Sequence, residues 1–200
     1  MSDNMNDFYI RYPELECCKD DIEKALQLMI ETYKNKGKIL LCGNGGSASD
    51  SEHIVGELMK GFLLKRQVTD ERLSQEMREN LQGALPAISL NSQTALMTAF
   101  NNDLNPDFVF AQQVYGYSKA NDLLIGISTS GNSENVVKAV KVANSMGVKS
   151  LVLTGKDGGK LKNLATVSIC VPANETYKIQ EYHLPVYHYL CAKVEEEFFK

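Results

Sequence analysis

Residues 38–47 read Lys-Ile-Leu-Leu-Cys-Gly-Asn-Gly-Gly-Ser, a short apolar run that ends in a glycine-rich turn. A run of the same form, Asp-Leu-Leu-Ile-Gly-Ile-Ser-Thr-Ser-Gly-Asn-Ser, occupies 122–133. Three more short apolar runs follow the same pattern, and segments with helical spacing separate all of them. The alternation predicts an α/β protein whose parallel sheet is covered by helices on both faces. The five predicted strands are 38–42, 85–90, 122–128, 150–154 and 167–171.

The segments around these strands predict helices at about 47–60, 93–101, 107–118, 133–146 and 178–199. Residues 13–36 also carry apolar positions at helical spacing and lead into Gly37, which predicts a long leading helix that stops at a glycine. Residues 65–82 are strongly polar, so we expect an exposed and partly helical insertion there. Its simplest interpretation is a solvated surface segment without a functional role. We expect one domain, residues 1–200.

Composition and charge argue against several classes of function. The 200 residues carry a net charge of -4 and have a pI near 5.5, without the clustered basic face of a nucleic-acid-binding protein. No apolar stretch approaches the roughly 20 residues of a membrane span, and residues 1–20 do not resemble a secretory signal. The five cysteines form no CxxC pair, which argues against a disulfide framework or a thiolate zinc site. We expect a cytoplasmic protein that binds neither nucleic acid nor a membrane.

Two loops are candidates for phosphate binding, because loops at the carboxyl ends of parallel strands point N–H groups and positive helix ends at a ligand. The glycine loop, residues 42–47, allows close approach of the backbone, but it is neither a Walker loop nor a GxGxxG fingerprint. The hydroxyl loop, residues 128–133, presents Ser128, Thr129, Ser130 and Ser133 at the start of a helix. Ordinary helix capping by Ser133 is the alternative. The density of donors favours phosphate binding.

His53 and Glu57 lie four residues apart directly after the glycine loop, so they share one helix face. A histidine and a carboxylate at this spacing can bind one divalent metal ion. From the spacing alone, an exposed pair without a metal is the simpler interpretation.

The last predicted helix supplies a second polar group, Gln180, His183 and His188. At about 100° per residue, Gln180 and His188 differ by about 80° around an ideal helix, so both can face one site. Pro185 lies between them, and we expect it to kink the helix or to lie near its first turn. We expect His183 to have a supporting or structural role.

Several blocks of the chain together resemble the SIS-domain phosphoheptose isomerases, which interconvert sedoheptulose 7-phosphate and an aldose heptose 7-phosphate. The matching blocks are CGNGGS at 42–47, His53 with Glu57, LPAISL at 85–90, NND at 101–103, GISTSGNSENVVKA at 126–139, LTGKDGG at 153–159, and IQEYH at 179–183 with His188. Their order and spacing extend over most of the chain. The resemblance implies the SIS fold, with a five-stranded sheet of flavodoxin-like order, and homotetramers with active sites between subunits.

The resemblance also implies roles for individual residues. The implied substrate contacts are Asn44, Gly45, Gly46, Glu57, Asn102, Asp103 and Gln180, with Ser128, Thr129, Ser130 and Ser133 at the phosphate. The implied zinc ligands are His53, Glu57, Gln180 and His188, a mixed nitrogen and oxygen set that suits zinc. Glu57 and His188 are the implied acid/base pair, with Glu57 acting on carbon and His188 on the oxygens of an enediol. A zinc-bound carboxylate is a weakened base, so Glu57 is expected to alternate between ligand and base.

Two features depart from the family pattern. Lys60-Gly61-Phe62 stands where many members have Gly-Arg before an aromatic residue, and the insertion 65–82 exceeds the short connection common there. Both adjoin the predicted helix of Glu57. They bear on the identity of the sugar more than on the type of reaction.

Two other functions fit part of the sequence. A non-enzymatic branch of the family associates with the bacterial replication initiator DnaA, and it lacks the glutamate of the His/Glu pair and the last histidine. Glu57 and His188 are both present here, which favours the enzyme. The third possibility is a regulatory SIS module that binds a sugar phosphate without turnover.

Overall fold

The structure is a computed structural model and describes residues 7–200. The first six residues of the predicted domain lie outside the described part. The strands are β1 (Ile39–Gly43), β2 (Ala87–Ser89), β3 (Leu123–Ile127), β4 (Lys149–Thr154) and β5 (Val167–Cys170). The α-helices are α1 (Phe8–Arg11), α2 (Lys19–Lys34), α3 (Gly46–Met59), α4 (Gln75–Asn80), α5 (Thr94–Asp103), α6 (Val109–Tyr117), α7 (Glu134–Ser145) and α8 (Thr176–Phe199).

The five strands form one parallel sheet in the order β2-β1-β3-β4-β5. This confirms the predicted flavodoxin-like order. The strand order reverses between β1 and β3, where such sheets form a crevice at their carboxyl edge. Gly43 at the end of β1 pairs with Ile127 at the end of β3, so the glycine loop and the hydroxyl loop begin side by side.

Helices cover both faces of the sheet, which confirms the predicted three-layer arrangement. Alternate residues of a strand point to opposite faces. Ile39 and Leu41 pack in one cluster with α2, α3 and α8, and Leu40 and Cys42 pack in the other with α6 and α7. All four side chains are fully buried. Burial of one leucine or isoleucine side chain is worth about 1.5 to 3 kcal/mol, so the central strand is firmly held between the two helical layers.

The leading helix begins later than predicted. A 3-10 turn occupies Pro13–Cys18, and α2 runs from Lys19 to Lys34. Leu15 and Cys18 are both buried and lie three residues apart. That spacing serves a 3-10 turn and an α-helix equally, so the apolar pattern could not separate the two.

Two proline positions also differ from expectation. β2 covers only 87–89 of the predicted 85–90, because Pro86 has no N–H to donate and Leu90 already starts a 3-10 turn. Pro185 lies in the interior of α8, which excludes the first turn, one of the two alternatives expected for it; the other alternative, a kink, stays a prediction. Gln180 and His188 therefore belong to one continuous helix.

The insertion 65–82 is only partly as predicted. It contains the short helix α4, which has no buried residue, in agreement with an exposed and partly helical segment. The expectation of exposure is wrong at Arg66, a residue that is only 1% exposed. Arg66 Nε donates to Glu195 Oε1 at 2.7 Å, and this partner on α8 draws the arginine into the interior.

Within residues 7–200, no helix combines the length and the hydropathy that crossing a membrane requires.

Candidate active site at the carboxyl edge of the sheet

The glycine loop turns sharply from β1 into α3. Gly45 has a φ of 58°, in the left-handed region that favours glycine. Asn91 fixes Gly43 through both of its backbone polar groups: the Gly43 N–H donates to Asn91 Oδ1 at 3.2 Å, and Asn91 Nδ2 donates to the Gly43 carbonyl at 2.8 Å. The loop thus holds residues 44–46 exposed at the start of α3.

The hydroxyl loop is closed by a 2.9 Å hydrogen bond between the hydroxyls of Ser128 and Ser133. Ser133 is the N-cap residue of α7, but its side chain makes no capping hydrogen bond. The capping alternative is therefore wrong for this serine. Ser130 Oγ accepts from the Asn132 N–H at 3.1 Å and stays exposed. The loop presents hydroxyls near the positive end of α7, where an anion is stabilised.

The side-chain amides of Asn44 and Asn135 join the two loops. Each amide donates to the other at 2.9 Å. Asn135 lies in the first turn of α7, and its Oδ1 also accepts from the Val136 N–H at 3.0 Å. The pair bridges the switch point between β1 and β3. Asn44 was a predicted substrate contact and Asn135 was not, although Asn135 belongs to the GISTSGNSENVVKA block that also contains the hydroxyl loop.

A cavity of 430 Å³ opens between the hydroxyl loop and the loops after β4 and β5. Its lining includes Thr129, Ser130, Lys156 and Asn174. The volume lies within the roughly 300 to 1,000 Å³ of small-molecule sites. Lys156 and Asp157 line the same cavity as Thr129 and Ser130, and neither was predicted from the sequence.

His53, Glu57 and His188 form a compact cluster between α3 and α8. His53 Nε2 lies 3.0 Å from Glu57 Oε1 and 3.4 Å from His188 Nε2. One ligand atom from each of the three residues lies within 4.8 Å of the others. The structure therefore brings together three of the four residues predicted to bind metal.

The cluster has the donor set that a divalent cation requires. Glu57 Oε2 is buried without a hydrogen-bond partner among residues 7–200, and Lys60 Nζ lies 3.7 Å from it. A buried carboxylate oxygen without a hydrogen bond is costly, and a cation would satisfy it. Two imidazoles and a carboxylate are ligands that zinc accepts. The residues present fit a metal ion.

Gln180 lies against the glycine loop. A Cβ added to Gly46 would come within 2.6 Å of Gln180 Nε2, so this glycine makes room for the amide. The contact brings α8 to the loop that is predicted to bind substrate. The role of Gln180 as a fourth metal ligand stays a prediction.

His188 is half-buried, and its ring packs 5.4 Å from the ring of Phe62 and 5.0 Å from that of His53. Burial lowers the pKa of His188, and His53 lowers it further while Glu57 opposes the change. A neutral imidazole can accept a proton or bind a metal ion.

Gly61 occupies the place where the resemblance suggested an arginine. A Cβ at this position would lie 2.6 Å from the Leu64 carbonyl oxygen. The Gly61 N–H donates to Gln82 Oε1, at 2.6 Å, so the insertion holds this backbone in place. The local conformation therefore excludes an arginine here without rearrangement.

His183 lies away from the cluster and is fully buried. Its Nε2 is 3.4 Å from the Thr154 carbonyl oxygen, which ties α8 to β4. Burial lowers the pKa of His183 to about 4, so the imidazole is neutral at neutral pH.

Asn102 and Asp103 are exposed at the end of α5. Asn102 Nδ2 donates to Asp103 Oδ1 at 2.8 Å. Within residues 7–200, no hydrogen bond joins either residue to the two loops or to the histidine cluster. Their role as substrate contacts stays a prediction.

Sequence reasoning also missed Asp50 and Tyr187, which adjoin the cluster. The Tyr187 hydroxyl lies 2.9 Å from His53 Nδ1 and donates to Asp50 Oδ1 at 3.3 Å. Asp50 lies one helical turn before His53, and Tyr187 directly precedes His188. Only their closeness in sequence to His53 and His188 could have marked these two residues. The contact between them joins residues 137 apart, which no local pattern predicts.

Fold and site together define a class of protein: a doubly wound α/β protein with a glycine loop, a hydroxyl loop and a histidine–carboxylate cluster at the carboxyl edge of its sheet. The SIS domain family profile matches residues 14–155. A phosphoheptose isomerase of Helicobacter pylori strain Shi470 is 44% identical over 184 residues, which are 92% of this chain and 88% of the relative. One of Aliarcobacter butzleri strain RM4018 is 42% identical over 183 residues, with coverage of 92% and 88%. The chain belongs to the phosphoheptose isomerase family of SIS-domain proteins.

Solved structures from the same family have the same fold. A phosphoheptose isomerase from Francisella tularensis superposes with a TM-score of 0.76 at 32% identity, covering 88% of this chain and 86% of that one. A phosphoheptose isomerase from Neisseria gonorrhoeae superposes with a TM-score of 0.73 at 35% identity, covering 94% and 96%. The similarity confirms the predicted SIS fold.

Proposed function

We propose that this protein is an aldose–ketose isomerase that converts sedoheptulose 7-phosphate to D-glycero-D-manno-heptose 7-phosphate through an enediol. The observation that carries the proposal is the cluster in which His53 contacts both Glu57 and His188, which gives a carboxylate and two imidazoles one shared site near the glycine loop. Relatives at 42% to 44% identity named phosphoheptose isomerase support it.

The phosphate end of the substrate is bound by the hydroxyl loop. Ser128, Thr129, Ser130 and Ser133 donate to its oxygens, and the amino end of α7 stabilises the negative charge. Lys156 adds a cation from the loop after β4. Backbone groups of Asn44, Gly45 and Gly46, together with Gln180, orient the sugar.

Glu57 takes the proton from carbon, and His188 moves protons at the two oxygens. Oε2 of Glu57 makes no hydrogen bond within residues 7–200, so it can take the proton from carbon in the state in which the carboxylate does not hold a metal ion. His53, Glu57, Gln180 and His188 would hold a zinc ion, and the ion would supply polarisation of the substrate carbonyl. Phe62 packs on His188 and limits the access of water from that side.

Solvent-deuterium exchange tests the role of Glu57. We expect Glu57→Gln to abolish both isomerisation and the exchange of deuterium into sedoheptulose 7-phosphate, because an amide cannot accept the proton from carbon. Glu52→Gln is the matched control, since Glu52 is an exposed residue of the same helix whose carboxylate accepts from Ser92 Oγ at 3.0 Å. A Glu57→Gln protein that exchanges and isomerises like the wild type would refute the assignment.

The non-catalytic alternatives are not favoured. The replication-associated branch lacks the carboxylate and the last histidine that form the cluster here. A sensor would bind the sugar phosphate tightly and leave it unchanged, so aldose formation from sedoheptulose 7-phosphate excludes that function directly.

The proposal includes a homotetramer with active sites between subunits and a cytoplasmic location. Asn102 and Asp103 are exposed and have no hydrogen bond to the loops within residues 7–200, which supports an active site completed by a second subunit.

A further inference from the structure

The hydroxyl of Tyr187 stands between a carboxylate and the imidazole of His53. Its oxygen lies 3.3 Å from Asp50 Oδ1 and 2.9 Å from His53 Nδ1. The tyrosine belongs to α8 and the other two residues to α3, so this chain of hydrogen bonds joins the two helices that carry the histidine cluster.

Which ring nitrogen of His53 carries the proton depends on whether Nε2 binds a metal ion. A neutral imidazole carries one N–H, on Nδ1 or on Nε2. A metal ion at Nε2 needs the lone pair there, so the proton must be on Nδ1 and must find an acceptor. The Tyr187 oxygen can accept this proton only if its own hydroxyl proton points elsewhere. The Asp50 carboxylate accepts the hydrogen bond from that hydroxyl.

When no cation is bound, the other tautomer of His53 can also make hydrogen bonds through both ring nitrogens. His53 Nε2–H can donate to Glu57 Oε1 at 3.0 Å, while the Tyr187 hydroxyl donates to Nδ1. Tyr187 can thus serve either tautomer, because a phenol hydroxyl both donates and accepts. Asp50 makes the first arrangement favourable, since it is the acceptor that the hydroxyl needs in that state.

The surrounding packing keeps the three groups in place. Tyr187 is 2% exposed, and its ring meets the rings of His53 and His188 edge to face at 5.4 Å and 5.0 Å. Asp50 Oδ2 is buried without a hydrogen-bond partner within the described chain, so Tyr187 is the one side chain there that donates to this carboxylate.

We propose that Asp50 and Tyr187 are positioning residues that hold His53 in the tautomer with a free Nε2 lone pair, and thereby set the affinity of the cluster for a divalent cation. The inference rests on the metal site of the proposed function. Neither residue belongs to the predicted substrate contacts. Groups that orient a ligating histidine commonly change metal affinity by 10- to 100-fold, which is the size of effect expected here.

Zinc titration of the metal-free protein against a chromophoric chelator tests the proposal. We expect Tyr187→Phe to weaken zinc binding about 10-fold or more, because the ring remains while the acceptor for Nδ1–H is lost. Tyr189→Phe is the matched control: it removes a tyrosine–carboxylate hydrogen bond of the same kind, to Glu23 Oε1 at 3.1 Å, elsewhere on α8. The control should bind zinc like the wild type.

A double-mutant cycle separates positioning from general disturbance. Asp50→Ala should weaken zinc binding as Tyr187→Phe does, and the double variant should be little weaker than either single variant, because the two residues act as one unit. Thermal unfolding in excess chelator checks that each variant is folded. Equal zinc affinity of Tyr187→Phe and the wild type, or additive losses in the double variant, would overturn the proposal.

The outcomes for the proposed function are separate. A wild-type protein that binds no zinc and isomerises in chelator would overturn this inference and leave the isomerase intact. If the variants lose zinc affinity as expected but the wild-type protein never forms aldose, this inference is supported and the proposed reaction fails.

Discussion

Arg66 and Glu195 form an ion pair at 2.7 Å in which neither side chain is exposed. Removing two charges from water is costly, so such a pair persists only where further hydrogen bonds satisfy it. Glu195 accepts from the N–H groups of residues 62–64 at 2.7, 2.7 and 3.0 Å. Arg66 donates to the Glu57 carbonyl at 2.8 Å. The pair thus fastens the end of α3, which carries Glu57, to α8.

Removal of either partner of the Arg66–Glu195 pair should strongly destabilise the fold. We expect Glu195→Ala to lower the free energy of unfolding by about 3 to 5 kcal/mol, because Arg66 would keep an uncompensated buried charge. Urea unfolding at neutral pH measures the change. Asp70→Ala is the control: it removes the exposed ion pair with Arg72, at 2.5 Å, and should leave stability unchanged. Equal stability of the two variants would contradict a structural role for the buried pair.

The Arg66–Glu195 pair also predicts how the stability of the fold changes with pH. Burial alone would raise the pKa of Glu195, but the hydrogen bonds from Phe62, Leu63, Arg66 and Leu64 lower it overall. A carboxylate whose pKa is lower in the folded state stabilises the fold above the unfolded pKa of about 4.3 and loses that contribution as the pH falls below it. The stability difference between the wild type and Glu195→Ala should therefore shrink in acid.

Contacts between residues close in sequence were predictable, and contacts between distant residues were not. The contact between His53 and Glu57 was predictable because both lie on one helix at a local spacing, whereas their role as metal ligands came from the resemblance. Arg66 was misplaced because its partner lies 129 residues away, in another element. Asp50 and Tyr187 were missed for the same reason, since no local pattern marks a tyrosine that meets a carboxylate on a distant helix.

At the scale of elements, the hydroxyl loop depends on close contact with the loop after β4. Gly131 has a φ of 63°, and a Cβ there would come within 2.0 Å of the Gly158 carbonyl oxygen. The Leu161 N–H donates to the Gly131 carbonyl at 3.1 Å, which joins the two loops further. The shape of the predicted phosphate site therefore requires a glycine at 131.

Gly131→Ala should impair substrate binding as well as stability. We expect KM for sedoheptulose 7-phosphate to rise about 10-fold or more, a loss of about 1.4 kcal/mol of binding, because the added methyl group must push the two loops apart. Gly147→Ala is the control, since Gly147 has a φ of 71° but nothing within 4 Å of an added Cβ. The control should cost about 1 to 2 kcal/mol of stability and leave KM unchanged. A parallel rise of KM in both variants would argue against the loop contact.

The elements themselves were largely predictable, because apolar runs of strand length between helical segments specify a parallel sheet with helices on both faces. The order β2-β1-β3-β4-β5 came from the resemblance, since no local pattern states which strands are neighbours. The 3-10 turn at Pro13–Cys18 and the shortened β2 escaped prediction, because apolar spacing does not define where an element ends.

At the scale of the whole molecule, large apolar side chains stay exposed along α5, α6 and the turn between them. Leu96, Leu104, Phe108 and Tyr115 are 36%, 61%, 40% and 68% exposed. Surfaces of this kind commonly bind another protein chain. Asn102 and Asp103 end the same helix α5, so a second subunit that covers this surface would also approach these two residues.

Mixing two inactive variants tests a site shared between subunits. Glu57→Gln removes the base and Asp103→Ala removes the proposed substrate contact, and each variant alone should be inactive or nearly so. If each site takes Glu57 from one subunit and Asp103 from another, random mixed tetramers restore about a quarter of the wild-type activity, because half of the chains supply each intact residue. Differently tagged variants, co-expressed and purified through both tags, ensure that subunits have mixed. Activity no greater than the sum of the separate variants would show that one chain supplies both residues to its own site.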